Sequence, residues 1–321
     1  MAEQNYTYAV ARIRSRELSL LNASFMEQLL GASDEETAVR MLQERGWGSQ
    51  SMSVEEMLEQ EHDRTWDLIS ELVKDVSVFH VFLYENDYHN LKAAIKESCT
   101  AGKHPGIYKD QGTFPAELME KAVTDREFSL LPEKMQDVAK EATDILLKTR
   151  DGQLCDCIVD RAALQAIYQA GKDSGDSLLA LYGELTVVAA DIKSTIRAVM
   201  TGKGRSFLEY SLAPCDTLDI SRLMDAAQEG MEAIYSYLET TRYADAVESM
   251  KKSLAVFECW CDNLMIRNIR SQLSNPFGLG PLAAYILARE NEIKTVRIIL
   301  SGKHNDFSEE YIRGRVRETY V

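Results

Sequence analysis

Apolar side chains recur at three- and four-residue steps along almost the whole chain, the spacing that gathers them on one face of an α-helix. Tyr8, Ala11 and Ile13 begin the pattern, and Leu20, Leu21, Phe25, Met26, Leu29 and Leu30 continue it. Ser33-Asp-Glu-Glu36 then has the form of a capping box and predicts a helix from Thr37 to Arg45, ended by Gly46. A second box, Ser53-Val-Glu-Glu56, opens a long helix from about Val54, with apolar positions from Met57 and Leu58 through Trp66, Leu68, Ile69 and Leu72 to Val81. Further helices are predicted from Tyr84, over Glu133–Thr149, around Cys155–Gln169 and over Leu178–Met200. Two more follow over Ile220–Thr240 and from about Ala244 to Leu273. Residues 103–115 read as a loop, and Gly171–Ser177 as a flexible break. No run alternates apolar and polar residues between hairpin signals, so the fold class is all-α.

The most structured stretch lies near the end. Asn275-Pro276 forces an extended residue before the proline, and Pro281 suits the first turn of a helix because its missing N–H has no partner there anyway. Leu282, Tyr285, Ile286, Ile293, Val296, Ile299 and Leu300 continue that helix, Arg289-Glu-Asn-Glu and Lys294 interrupt its apolar face, and Gly302 is placed as its C-cap with Lys303 at the negative end of the dipole. Two similar endings occur upstream, so that Gly-Lys pairs stand at 102–103, 202–203 and 302–303, evenly spaced and each preceded by a tyrosine: Tyr84, Tyr182 and Tyr285. This predicts a triplicated helical unit, with divisions at 1–112, 113–210 and 211–321 and the two chain ends packing together. Its period is longer than the roughly 20–50 residues of a solenoid repeat.

Composition sharpens this picture. With 321 residues and 45% hydrophobic content the chain can build sizeable cores. Only six prolines, the first at Pro105, agree with helix nearly throughout. A net charge of −15 and pI ≈ 4.9 argue against nucleic acid and against broad docking on anionic lipid. Against that acidic background Arg12, Arg14 and Arg16 form a basic face on the first helix. No window reaches the ~18 charge-poor apolar residues of a membrane span, and the first twenty residues lack the apolar core of a secretory signal. These features lead us to expect a soluble, cytosolic protein.

Catalytic motifs do not emerge. The Gly-Lys pairs fail as phosphate-binding loops, because Glu97, Arg197 and Arg297 stand where the first glycine is needed and His104, Gly204 and His304 where the hydroxyl is needed. Glu59-Gln-Glu-His62 has the spacing of one half of a di-metal carboxylate site, but no second Glu-x-x-His exists, and the segment reads as a solvated acidic face. His89 beside Asp87 reads as part of a helix start, with Asn86 or Asp87 as the cap. The six cysteines, including Cys155-Asp-Cys157 and Cys259-Trp-Cys261, are too tightly spaced for a zinc knuckle and read as free thiols. No catalytic residue, cofactor or metal is expected.

Three segments carry a resemblance to a known family. They are Tyr6-x-Tyr8-Ala-Val-Ala-Arg12-Ile-Arg14; Glu85-Asn-Asp-Tyr-His-Asn-Leu-Lys92; and Asn275-Pro-Phe-Gly-Leu-Gly-Pro281 through Tyr285, Glu290-x-Glu292 and Lys294-x-x-Arg297 to Gly302-Lys303. The chain resembles the C-subunit family (also called d, or AC39-type) of prokaryotic V-type, or A-type, ATP synthases. The similarity covers essentially the whole chain and is weakest in the middle unit. No counterpart of the eukaryotic N-terminal sequence is evident. The resemblance implies three similar helical domains around a pseudo-three-fold axis, shaped as a funnel. It implies a non-catalytic rotor part, one copy per complex, on the cytoplasmic face of the membrane rotor ring. There it receives the central shaft and transmits torque for proton or sodium transport. Lys103, Lys203 and Lys303 then come to equivalent places around the axis and, with Arg12, Arg14 and Arg16, are the candidate partner contacts. The residues alone also fit an α-helical scaffold unrelated to ion transport.

Overall fold

The computed structural model of the protein describes residues 6–100 and 104–321. Among these residues the structure is helical with no strand, as the periodicity requires. In chain order the helices are α1 (Thr7–Glu17), α2 (Ala23–Leu30), α3 (Glu35–Glu44), α4 (Val54–Leu72), α5 (Tyr84–Cys99), α6 (Ala116–Thr124), α7 (Glu133–Thr149) and α8 (Gly152–Asp173). They continue with α9 (Ser177–Met200), α10 (Arg205–Ser211), α11 (Ile220–Glu229), α12 (Met231–Glu239), α13 (Val247–Lys252), α14 (Leu254–Ile269), α15 (Gly280–His304) and α16 (Glu309–Arg313). No helix among the described residues is long and apolar enough to cross a membrane.

The chain forms two compact units. One comprises residues up to Val76 together with Glu248–Val321, and the other comprises Ser77–Val247. In the first, α15 is the central element. Seventeen of its residues are buried, from Gly280 through Gly302, and α1, α3, α4 and α14 pack around it. Val296, Ile299 and Leu300 of α15 meet Phe25, Leu29, Leu42, Trp47 and Leu58 in one core. In the second unit α5, α6, α7 and α8 enclose a core of Leu91, Ile95, Met119, Met135, Ala139 and Val159. Helix α9 lies along α8.

Local signals worked where the partner atoms were near in sequence. The Ser53 box is complete, with Ser53 Oγ accepting from Glu56 N–H and the Glu56 carboxylate accepting from Ser53 N–H at 2.7 Å. The earlier box is shifted by one residue. Asp34, not Ser33, caps α3 by accepting from Thr37 N–H at 2.8 Å, because its carboxylate is the stronger acceptor and Ser33 Oγ turns to bond it. The first apolar run divides into α1 and α2, with Asn22 as the second cap.

Three expected long helices are broken. The helix from Val54 stops at Leu72, where β-branched Val73 turns extended and a 3-10 turn takes over at Val76–Phe82. Gly230, at φ 112°, separates α11 from α12, a backbone state that L side chains resist. Ser253 caps a fresh start at α14 by accepting from Val256 N–H. Helix α8 is longer than expected and includes Gly171, so there is no flexible break at that residue. A side chain there would bring Cβ to 2.5 Å from the Leu179 carbonyl, and at Gly183 to 3.0 Å from the Ile167 carbonyl. These two glycines let α8 and α9 approach backbone to backbone.

The repeated Gly-Lys endings also differ locally. Gly202, at φ 67°, is a true left-handed cap, with its N–H bonded to Val199 O and Lys203 N–H to Ala198 O, the paired pattern of a Schellman motif. Gly302 is not the cap. It lies inside α15 against Ile312, and the same motif is completed further on by Asp306 at φ 52° and by Phe307 N–H on Gly302 O. Gly102-Lys103 lies outside the described residues.

The close approach at Gly171 gives a direct test. Gly171→Ala must push backbone away from backbone and should lower unfolding stability by about 1–3 kcal/mol. Gly204→Ala, where a Cβ meets open space, should change it by less than about 0.5 kcal/mol. Urea denaturation followed by helical circular dichroism measures both.

Candidate functional site

The interruption in the apolar face of α15 is the centre of the first unit. Six of the seven polar residues from Arg289 to Arg297 reach beyond their own helix. Arg289, 5% exposed, donates from Nη2 to Glu61 of α4 and from Nη1 to Glu292 one turn along, and its guanidinium carbon stands 5.1 Å from the centre of the Trp47 ring. Glu292 also accepts the N–H of Leu21, fixing the chain as it enters α2. Arg64 closes on the other oxygen of Glu61. Glu290 holds His62 Nε2 at 3.0 Å, Asn291 donates to Glu318 O at 2.9 Å, Lys294 binds Asp262 at 2.6 Å, and Arg297 stands 3.2 Å from Glu55. A pocket of about 10 Å³ beside Glu292 has room for one water molecule.

Burial and charge pairing oppose each other in this hub, at Glu292 and at His62. Desolvation raises the Glu292 carboxyl to about 7, against the opposing pull of Arg289 and of the Leu21 N–H. Burial pulls the His62 imidazole down, but the hydrogen bond and charge of Glu290 outweigh it and leave the pKa raised. The expected solvated acidic face on α4 is therefore only half correct. Glu59 is exposed, whereas Glu61 is buried and His62 faces α15. Among the described residues no three His, Cys, Asp or Glu side chains gather as metal ligands.

A second tie in this unit holds the Asn275-Pro276 loop. Arg14 Nη1 binds both oxygens of buried Glu17 at 2.6 and 2.7 Å, while its Nη2 donates to Gln272 O at 2.5 Å and to Asn275 O at 2.7 Å. Asn275 is extended, as its following proline demands, and Phe277 is displayed to solvent at 66% exposure.

In the second unit helix carboxylates hold loops. Asp87 of α5, fully buried, accepts from Thr113 N–H at 2.7 Å, from Thr113 Oγ1 at 2.5 Å and from Phe114 N–H at 3.3 Å. Asn86 donates to Gln111 O, Asn90 exchanges two bonds with Lys109, and His89 Nε2 lies 2.8 Å from Ile107 O. None of these side chains caps α5, contrary to the expectation for Asn86 and Asp87; the loop's backbone polar groups need them more. Glu184 of α9 does the same for Asp216 and Thr217, and Asp191 for Ala213 N–H at 3.1 Å. Burial, with Glu184 nearby, pushes Asp191 up to about 8 despite Ala213 N–H and Arg161, and its Oδ2 has no partner.

The expected contact residues fall into two groups. Lys303 spends its ammonium on Leu30 O at 2.9 Å and Ala32 O at 2.5 Å, and Arg14 is bound as described. Arg12, Arg16 and Lys203 have no ion pair among the described residues; Arg16 and Lys203 are exposed and Arg12 half-buried. Lys103 is outside the described residues. None of the six cysteines, all among the described residues, forms a disulfide, and Cys155 and Cys259 are buried. The hub itself was missed as a site. Its signal was a block of charges in the middle of a helix otherwise apolar on every side.

The fold and these networks define an α-helical protein whose buried charges fix loops and segments remote in sequence to its helices. The chain belongs to the ATP synthase (C/AC39) subunit family, whose family model matches residues 9–315. Members of this family are non-catalytic subunits of the complex. The C subunit of the V-type sodium ATPase of Enterococcus hirae is 22% identical, with 96% of this chain and 97% of that protein covered. The C subunit of the A-type ATP synthase of Methanocaldococcus jannaschii is 23% identical over 96% and 85%, and that of the V-type ATP synthase of Thermus thermophilus 21% over 92% and 93%.

Two measurements test the networks. Arg289→Met leaves buried Glu292 without its cation and Glu61 with Arg64 alone, and should lower stability by about 3–5 kcal/mol at neutral pH, with the deficit shrinking as acid protonates Glu292. The folded state holds the Asp191 proton to about pH 8, whereas the unfolded chain releases it at the ordinary 3.8. Stability from this group is full below the ordinary carboxylate range and is lost as pH rises through about 8. Asp191→Asn should flatten that decline in urea melts taken between about pH 5 and pH 9.

Proposed function

We propose that this protein is the central-stalk rotor subunit of a V-type or A-type ATPase. It acts as a socket that joins the central shaft to the membrane rotor ring on the cytoplasmic face and carries torque between ion flow and the ATP-making or ATP-splitting head. The observation that carries this reading is the family match over residues 9–315, with relatives named as C subunits of both types. The physical character of the chain agrees with it. A part that passes torque must resist local yielding, and here buried carboxylates on the helices hold the backbone at Leu21, Thr113 and Thr217.

A triplication with divisions at 1–112, 113–210 and 211–321, arranged about a pseudo-three-fold axis, is part of the same proposal. Its support is internal. Each repeat helix carries at least one buried carboxylate that accepts backbone N–H from a segment remote in sequence. These are Asp87 on α5, Glu184 and Asp191 on α9, and Glu292 on α15. For α15 the remote segment is the N-terminal Leu21, which explains why the third copy would use the start of the chain. Among the candidate contacts, Arg12, Arg16, Lys103 and Lys203 are assigned to acidic partner surfaces, while Arg14 and Lys303 support the surface from within.

Tagged protein extracted from native membranes in mild detergent should co-purify with ring, shaft and head subunits, identified by mass spectrometry. Recovery alone or with unrelated proteins would overturn the reading. Combined reversal (Arg12→Glu, Arg16→Glu, Lys103→Glu and Lys203→Glu) should reduce recovery with the complex about ten-fold, and more at low salt than at high salt, while the melting curve stays in place. Unchanged assembly would reject these residues as contacts.

A further inference from the structure

Within the second unit, α7 and α8 run antiparallel on either side of a left-handed turn at Arg150 and leave an open cleft of about 540 Å³ between them. That is within the roughly 300–1,000 Å³ of pockets that seat a ligand. Its walls are two helical ridges. Lys134, Asp137, Val138 and Glu141 line it from α7 at steps of three and four, about 10 Å along the axis, and Ile158, Arg161, Ala162 and Ala166 line it from α8 in the same way. Val138, Ile158, Ala162 and Ala166 form an aliphatic floor, which rests on the core of this unit. Tyr210, 43% exposed, contributes an aromatic side chain to the lining. Parallel ridges with a groove between them are the surface on which a third helix packs.

The charges decide the occupant. Among the described residues, Lys134, Asp137, Glu141 and Arg161 form no ion pair. Lys134 Nζ stands 3.0 Å from the centre of the Tyr84 ring and feels the charge of Asp87, whose carboxylate already accepts from Thr113 and Phe114. Arg161 donates from Nη1 to Glu209 O at 2.9 Å, but its Nε is buried and lacks any acceptor. Two cations and two carboxylates thus line one short groove without pairing to each other. A small anion that met Lys134 and Arg161 would also meet Asp137 and Glu141. A helix with small aliphatic side chains in the floor and residues of both signs along its edges pairs all four. We infer that the groove between α7 and α8 seats an amphipathic helix of a neighbouring subunit of the ATPase, with acidic residues facing Lys134 and Arg161 and basic residues facing Asp137 and Glu141. The assignment rests on the assembly proposed above.

The test uses the full chain in its native complex. A photo-crosslinking amino acid at exposed Gln165, on the edge of the groove, should join one helical segment of another subunit, mapped by mass spectrometry and carrying residues of both signs. If the intact complex is recovered but position 165 crosslinks only within this chain, to a non-helical loop, or to nothing, the groove assignment is overturned while the assembly reading stands. If the chain is absent from the complex, the assembly reading fails and this assignment with it. Asp137→Lys with Glu141→Lys, at exposed positions that leave the aliphatic floor intact, should lower recovery with the complex about ten-fold at an unchanged melting temperature. Full recovery of that variant would also overturn the assignment.

Discussion

One guanidinium shared between two buried carboxylates governs the first unit. Helix α15 is enclosed on nearly every side, so any charge it carries must be neutralised and hydrogen-bonded where it stands. Arg289 meets that demand by binding Glu61 on α4 and Glu292 on its own helix, with its flat face near Trp47. Glu292 in turn holds the Leu21 amide. The requirement to bury these charges together aligns α4, α15 and the entry to α2 in one register. Apolar packing alone would tolerate sliding between those helices; directional charged bonds do not.

The same physical rule shapes the second unit at smaller scale. A loop laid against a helix buries amide groups that water can no longer satisfy. Asp87 and Glu184 supply acceptors from within the helix, each binding consecutive residues of its loop. Loops held in this way become part of the rigid body, which suits a member of the C/AC39 family, whose role in the complex is not catalytic. Asp191 exceeds the rule, since one of its oxygens has no partner and burial favours its neutral form.

How far the sequence could be read depended on the reach of each interaction. The Ser53 box was legible because donor and acceptor are three residues apart. The extended state of Asn275 was legible because proline acts on its immediate neighbour. Gly202 and Gly302 look alike in sequence, yet one is a left-handed cap and the other sits under Ile312 inside a helix. Glu85 to Lys92 looked like a helix start because Asn and Asp are common caps, and its clamp on residues 107–114 depends on contacts some twenty residues away.

By itself, then, the sequence determined what local and compositional rules control: helix nearly throughout, the strongest caps and turns, the acidic balance, and a resemblance that the family match bears out. Only the tertiary structure decided which charges are buried, which basic residues are spent inside and which remain free, and which helices stop short of their apolar pattern. Those outcomes are set by desolvation and by close backbone approach between segments far apart in the chain, and neither leaves a periodic trace in sequence.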